Sequence, residues 1–124
     1  MDGMDSILTS IKKLLGIAED YEQFDTDIII DINSALAILT QLGVGPEEGF
    51  VVVSKTDTWY DFLGDTTRLE EVKTYIYLKV RLMFDPPTSS AAIDSMKNLI
   101  SEMEWRINVE AESMRREAES QNGV

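Results

Sequence analysis

The residues that come nearest to a metal site are Asp25, Asp27 and Asp31, which are spaced like the first ligands of a calcium loop. Such a loop would also need an oxygen ligand at Ile29 and a glycine at Ile30, and the chain has neither. Aspartates at the start of a helix are better explained by capping and by the helix dipole. We therefore predict no metal site and no cofactor.

Other catalytic patterns are equally weak. The chain has no histidine and no cysteine, which excludes imidazole proton transfer, thiol catalysis, disulfides and zinc sites built from these residues. Gly43, Gly45 and Gly49 precede no lysine-serine or lysine-threonine pair, so there is no phosphate loop. Adjacent acids such as Glu47 and Glu48 occur in any acidic protein and do not indicate glycoside hydrolysis. We expect a protein that is not an enzyme.

The charge is strongly acidic and unevenly distributed. The formal net charge is -12, and no lysine or arginine occurs from residue 14 to residue 54. That window holds the acids Glu19, Asp20, Glu22, Asp25, Asp27, Asp31, Glu47 and Glu48. Ordinary nucleic-acid binding depends on basic residues, so it is disfavoured. Two interpretations stay open: a solvated face that keeps the protein soluble, and a functional acidic surface.

The elements that must position these residues are mainly helices. Apolar residues recur at helical spacing in several segments, including a final narrow stripe from Ile93 to Met114. Gly16, Gly43 and the pair Pro86 and Pro87 supply ends for three of the segments. The pattern predicts a small antiparallel bundle of about four to five helices with one long loop. We place a single helical domain at residues 1–110 and a charged helix extension or tail at residues 111–124.

Two local signals refine this prediction. Thr67 and Glu70 have the spacing of a capping box, which would open a helix there. The long loop, residues 43–58, contains four residues that favour strand geometry, Phe50, Val51, Val52 and Val53. A short β segment can form there only by pairing with a hairpin partner or a neighbouring subunit. Long loops in small domains often carry function, so this one is a candidate contact element.

The chain shows no apolar run long enough to span a bilayer and no secretory signal at its amino terminus, so we expect no membrane contact and a cytosolic origin.

Three stretches carry a family resemblance. They are DTDIIIDINSALAILTQLGV at residues 25–44, WYDFLGD at residues 59–65, and YIYLKVRLMFDPPTSSAAIDSMKNLISEMEWRINVEAE at residues 75–112. The most characteristic piece is the proline-bounded join of two amphipathic helices. In this order the stretches resemble the head-tail connector, or adaptor, proteins of long-tailed bacteriophages, which are often labelled DNA-packaging proteins.

This resemblance implies a structural virion protein at the head-tail junction, made in the host cytoplasm. It implies a ring, commonly of twelve subunits, between the portal protein and a head-completion or stopper protein. Genomic double-stranded DNA would pass through the ring without specific binding. A lumen lined by the acids from Glu19 to Glu48 would repel the phosphates and let the DNA slide.

The resemblance also suggests contact residues. The carboxy-terminal part commonly reaches the portal in such proteins, which makes Met114, Arg115, Arg116 and Ala118 candidate portal-docking residues. Phe50 to Val53 become candidates for contact with a neighbouring subunit or the next ring. The alternative hypothesis is an acidic helical DNA mimic that inhibits a basic partner protein and needs no ring.

Overall fold

The computed structural model describes residues 2–122 and is mainly helical. A 3₁₀ turn, Asp2–Met4, precedes five α-helices. These are α1 (Ile7–Leu15), α2 (Asp25–Gln41), α3 (Trp59–Leu63), α4 (Leu69–Phe84) and α5 (Ser90–Asn122). No strand occurs among residues 2–122, which contain one isolated antiparallel bridge, between Ser6 and Thr58. The prediction of a mainly helical bundle is confirmed.

Helix α2 and helix α4 form the centre of the core. The α2 residues Ile28, Ile32, Leu36 and Leu39 are fully buried. They belong to one apolar cluster with the α4 residues Val72, Tyr75, Ile76 and Val80. These two helices therefore bury most of their core-facing apolar residues within the subunit.

Helix α1 is defined by its caps and is tied to the end of the long loop. The Ser6 side chain accepts a hydrogen bond from the Thr9 amide, and Gly16 ends the helix with a φ of 82°. The Ile7 amide donates to the Asp57 carbonyl at 3.0 Å. This pairing fixes the position of α3, which follows directly.

The short helix α3 anchors the loop end in the core. Thr58 and Asp61 form a reciprocal capping box at its start. Trp59 is fully buried and its indole nitrogen donates to Ser10 Oγ at 3.0 Å. A buried tryptophan needs such a partner for its N–H, so this bond fixes α3 against α1.

Two sequence expectations about helix starts were wrong. Helix α4 begins at Leu69 after Arg68, with no side-chain cap, and Asp65 Oδ1 instead accepts from the Thr67 amide. Helix α2 begins after Phe24, also with no side-chain cap. Asp25 is the first residue of the helix, one position past the cap, and its Oδ1 lies 2.8 Å from the Lys12 Nζ.

Helix α5 is by far the longest element. Its 33 residues extend about 50 Å at the usual rise of about 1.5 Å per residue. It starts after the proline pair that ends α4 at Phe84, as predicted. Only the segment around Ile100, Met103, Ile107 and Ala111 is buried, so the rest projects along or beyond the domain.

Candidate interaction surfaces

Two hydrogen bonds attach the middle of helix α5 to the rest of the bundle. Tyr75 on α4 donates its hydroxyl to Glu104 on α5 at 2.7 Å. The pKa of Tyr75 is raised far above its usual value, mainly by burial and also by this hydrogen bond to the Glu104 carboxylate. The Tyr75 hydroxyl therefore keeps its proton and remains the hydrogen-bond donor. Asn108 on α5 donates to the Leu42 carbonyl at the end of α2, at 3.4 Å.

Arg68 adds a third attachment, at Ile107 and Glu110 of α5. Its Nη2 donates to the Ile107 carbonyl at 3.2 Å, and its Nε lies 3.5 Å from Glu110 Oε2 and 3.8 Å from Glu71 Oε1. Burial and the nearby charge of Glu110 raise the pKa of Glu71, against the lowering effect of Arg68. The guanidinium thus donates one hydrogen bond to the helix backbone and lies close enough to two carboxylates for ion pairing.

Gly43 allows a close approach of the loop to α5. Its φ is 95°, and a Cβ atom at this position would lie 2.9 Å from Cβ of Ala111. Ala111 is the last buried residue of α5 among those that the structure describes. Gly43 and Ala111 therefore mark where the helix leaves the domain.

Beyond this point α5 continues as an exposed arm. Every side chain from residue 113 to residue 121 is exposed. Of the four candidate portal-docking residues, Met114 and Arg115 line an open cleft at the root of the arm, beside Gly45 and Arg68. Arg116 and Ala118 lie outside that cleft and are exposed to solvent. The arm is thus a solvent-facing helix on a fixed base.

The four candidate loop residues divide into two pairs. Val52 is buried and Phe50 packs on Phe62 with ring centroids 5.5 Å apart, whereas Val51 and Val53 are 62% and 77% exposed. This alternation is the strand-like geometry that the sequence favours. Of these four residues, Val51 and Val53 are the two whose side chains are exposed enough to contact another molecule.

Asn33 on α2 takes the place of a neighbouring strand. Its Oδ1 accepts from the Val52 amide at 2.8 Å, and its Nδ2 donates to the Val52 carbonyl at 3.0 Å. A side-chain amide can satisfy both backbone groups of one residue in this way. The extended segment is therefore held without β pairing.

The eight candidate acidic residues do not form one continuous cluster. Glu19, Asp20 and Glu22 are exposed and share a depression with Lys55. Asp25 is half-buried against Lys12, while Asp27 and Asp31 lie together on α2. Glu47 and Glu48 are exposed in the long loop. Lys12, just before the base-free window, therefore neutralises Asp25, and Lys55, just after the window, lies near the exposed acids Glu19, Asp20 and Glu22.

Burial raises the pKa of Asp31 above its usual value, and the neighbouring charge of Asp27 adds to this effect. Both carboxylates border an apolar groove between α2 and α4, which we call the α2–α4 groove. It is lined by Phe24, Asp27, Ile30, Asp31, Met83 and Phe84. Sequence reasoning missed this groove, because its apolar members come from two distant segments.

A second surface was also missed. Trp105 is 69% exposed on α5, away from the stripe that packs into the core. The signal was available in the sequence, since Trp105 falls outside the three-four spacing of that stripe.

The described residues hold no group of three or more acidic side chains that could bind a metal ion. Within the same 2–122 range no helix is long and apolar enough to cross a membrane.

A family model described as phage connector protein matches residues 7–114, which is most of the chain. The chain belongs to the phage connector protein family. The resemblance seen in the sequence is thereby confirmed. Membership gives this connector protein a structural role at the head-tail junction of a phage virion, together with other virion proteins.

The matched range includes the long loop, all eight acids and Met114, but it stops before Arg115, Arg116 and Ala118. No curated protein and no solved structure matches the connector protein.

Proposed function

We propose that this connector protein forms a ring, commonly of twelve subunits in such proteins, between the portal and a head-completion or stopper protein. Genomic DNA passes through the ring. The observation that carries this proposal is the family match over residues 7–114. The protein is made in the host cytoplasm and acts in the virion, as a structural component and not as an enzyme.

The arm is the proposed portal contact. Residues 113–121 are exposed, and the helix that carries them is fixed at its base by Arg68, Asn108 and the close approach of Gly43. A fixed base lowers the entropy lost when the arm docks. Met114, Arg115, Arg116 and Ala118 supply apolar and cationic groups for that contact.

The loop is the proposed contact with a neighbouring subunit or the next ring. Val51 and Val53 present two branched apolar side chains on a segment whose other side is fixed by Asn33. Phe50 and Val52 support them from inside the subunit.

The exposed acids are the proposed lining of the channel. Glu19, Asp20, Glu22, Asp27, Glu47 and Glu48 can repel DNA phosphates, whereas Asp25 and Asp31 contribute less because they are half-buried. No observation on the described residues favours the DNA-mimic alternative, since the acids lie in separate groups.

Cosedimentation with the portal protein of the phage that encodes the chain tests the portal contact. We expect the full chain to bind, and a chain ending at Glu112 to lose binding while keeping its helical circular dichroism. Each single variant, Arg115→Glu or Arg116→Glu, should weaken binding, and the equal charge reversal Lys97→Glu, at an exposed position elsewhere on α5, should not. Equal binding by the full and shortened chains would contradict the role of the arm.

A further inference from the structure

The extended part of the long loop, residues 50–53, has one backbone edge that is occupied. No turn or bend interrupts these four residues, and their burial alternates, as in a strand. In such a chain the N–H and C=O of one residue point to one edge, and those of its neighbours point to the opposite edge. Asn33 binds both backbone groups of Val52, at 2.8 and 3.0 Å. The edge that faces α2 is therefore occupied.

The opposite edge, which we call the outer edge, is uncovered. Within residues 2–122, the N–H and C=O of Val51 and the C=O of Val53 form no hydrogen bond. The Val53 N–H is bound to Asp57 Oδ2 at 2.7 Å. The outer edge thus presents one donor and two acceptors, beside the exposed side chains of Val51 and Val53. Backbone groups arranged in this way are a template for a second extended chain.

A second copy of this chain does not suit the outer edge of a ring subunit. Because Asn33 occupies the other edge, two copies of the segment could pair only through the same surface on each, which is an isologous contact. Such a contact closes a pair and does not continue around a ring. No other connection among the described residues has more than two consecutive residues outside a turn or bend. The matching strand therefore belongs to a different protein.

The charges beside the segment indicate what that strand carries. Glu47 and Glu48 are exposed just before it and form no ion pair within the part of the chain that the structure describes. Val51 and Val53 present branched apolar side chains. The complementary strand has apolar residues at alternate positions and a basic residue at the end that meets the two acids.

We propose that the outer edge of residues 50–53 is a site of β-strand addition for an extended segment of the protein in the next ring. That segment accepts a hydrogen bond from the Val51 N–H and donates to the carbonyls of Val51 and Val53. The main-chain bonds supply affinity, and the alternate side chains supply specificity. The inference rests on the ring of the proposed function and narrows the role of the loop to contact with the next ring.

Two substitutions at Val51 separate backbone pairing from side-chain contact. Val51→Pro removes the amide hydrogen that the added strand needs, although this hydrogen has no partner inside the subunit. Val51→Thr keeps the amide, the branched shape and the preference for strand geometry. We measure binding by titrating the head-completion protein of the same phage onto the portal-bound connector protein.

The proline variant should bind about tenfold or more weakly, because a carbonyl of the added strand is left without its donor. The threonine variant should bind about threefold or less weakly, since it loses part of one apolar contact only. Circular dichroism and hydrogen exchange at the Val52 amide show whether the segment keeps its place in each variant.

Hydrogen exchange of the natural chain gives a readout that needs no substitution. On binding, exchange at the Val51 amide should slow by about tenfold or more, because it gains a hydrogen bond. The Val52 amide is the matched control within the same segment. It is already bound to Asn33, so its exchange should change much less.

Several results would overturn the β-strand addition while the ring stands. These are equal losses of binding in the two variants, unchanged exchange at Val51, or rings that do not bind the head-completion protein. Two-fold pairs of connector copies that Val51→Pro disrupts would make a second copy the occupant. If the natural chain assembles neither alone nor on a portal, the proposed ring is wrong as well.

Discussion

The ammonium group of Lys12 lies 2.8 Å from Oδ1 of Asp25, and the lysine side chain is only 2% exposed. Its remaining donors bind the carbonyls of Glu19 at 3.0 Å and Tyr21 at 2.7 Å. One buried cation on α1 therefore contacts both the segment between α1 and α2 and the first residue of α2. The ammonium group thus donates two hydrogen bonds to backbone carbonyls and forms an ion pair with Asp25.

Lys12→Met is expected to lower the free energy of unfolding by about 3 kcal/mol, because it leaves a half-buried carboxylate and two carbonyls without their partner. Urea denaturation followed by circular dichroism measures this. The control is Lys13→Met, an exposed neighbour, which should change stability by about 0.5 kcal/mol or less. Equal stability of the two variants would show that Lys12 does not join these elements.

Gly43→Ala tests the close contact between the loop and α5. The new methyl group would meet Cβ of Ala111 at 2.9 Å, in a backbone conformation with a φ of 95°. Gly49 has the same φ and no atom within 4 Å of a new Cβ, so Gly49→Ala carries the backbone strain alone. We expect a loss of about 1 kcal/mol for Gly49→Ala and about 1–3 kcal/mol more for Gly43→Ala. Equal losses of stability in the two variants would mean that α5 moves away from the new methyl group at position 43 at no cost in free energy, which would contradict a close contact.

Asn33→Ala removes both hydrogen bonds to the Val52 backbone. We expect a loss of about 1–3 kcal/mol in unfolding free energy and faster hydrogen exchange at the Val52 amide. Ser34→Ala changes an exposed neighbour on the same helix and serves as the control. Unchanged exchange at Val52 in the Asn33 variant would contradict the proposed anchoring of the loop.

Asp31→Asn tests the electrostatics of the α2–α4 groove. Because the pKa of Asp31 is raised in the folded protein, the unfolded chain releases this proton at a lower pH. The ionised carboxylate therefore makes folding less favourable as pH rises from the ordinary carboxyl pKa of about 3.9 through the raised value.

The Asn variant should be more stable than the natural chain at neutral pH, by about 0.5 kcal/mol or less given partial solvent screening. This gain should vanish below pH of about 3.9. Asp20→Asn, an exposed change of equal charge, should give a smaller gain at neutral pH. A gain for Asp31→Asn that persists in acid would contradict a titration effect.

The sequence predicted most of the fold because its signals are local. Gly16 ends α1, and the proline pair ends α4, since glycine favours the left-handed conformation and proline cannot continue a helix. The roles of Lys12 and Asn33 were not predictable in this way. Each depends on a partner brought close by the tertiary fold, and either residue is ordinarily expected to face solvent.

The candidate surfaces were predicted only in part, because contacts between distant segments of the chain decide which of their residues are exposed. The four residues at 50–53 have strand-like character, but only the position of Asn33 decides that Val52 points inward and Val51 outward. The acidic window was visible in the sequence, whereas the ion pair of Asp25 with Lys12 depends on the packing of α1 against α2. The portal-docking role of the arm stays a prediction.

Native mass spectrometry of the purified chain, alone and mixed with the portal protein, tests the central claim most directly. We predict a closed ring of one defined subunit number, either free or bound to the portal. A chain that stays monomeric at every concentration and never associates with the portal would contradict the proposed role as a ring between portal and tail.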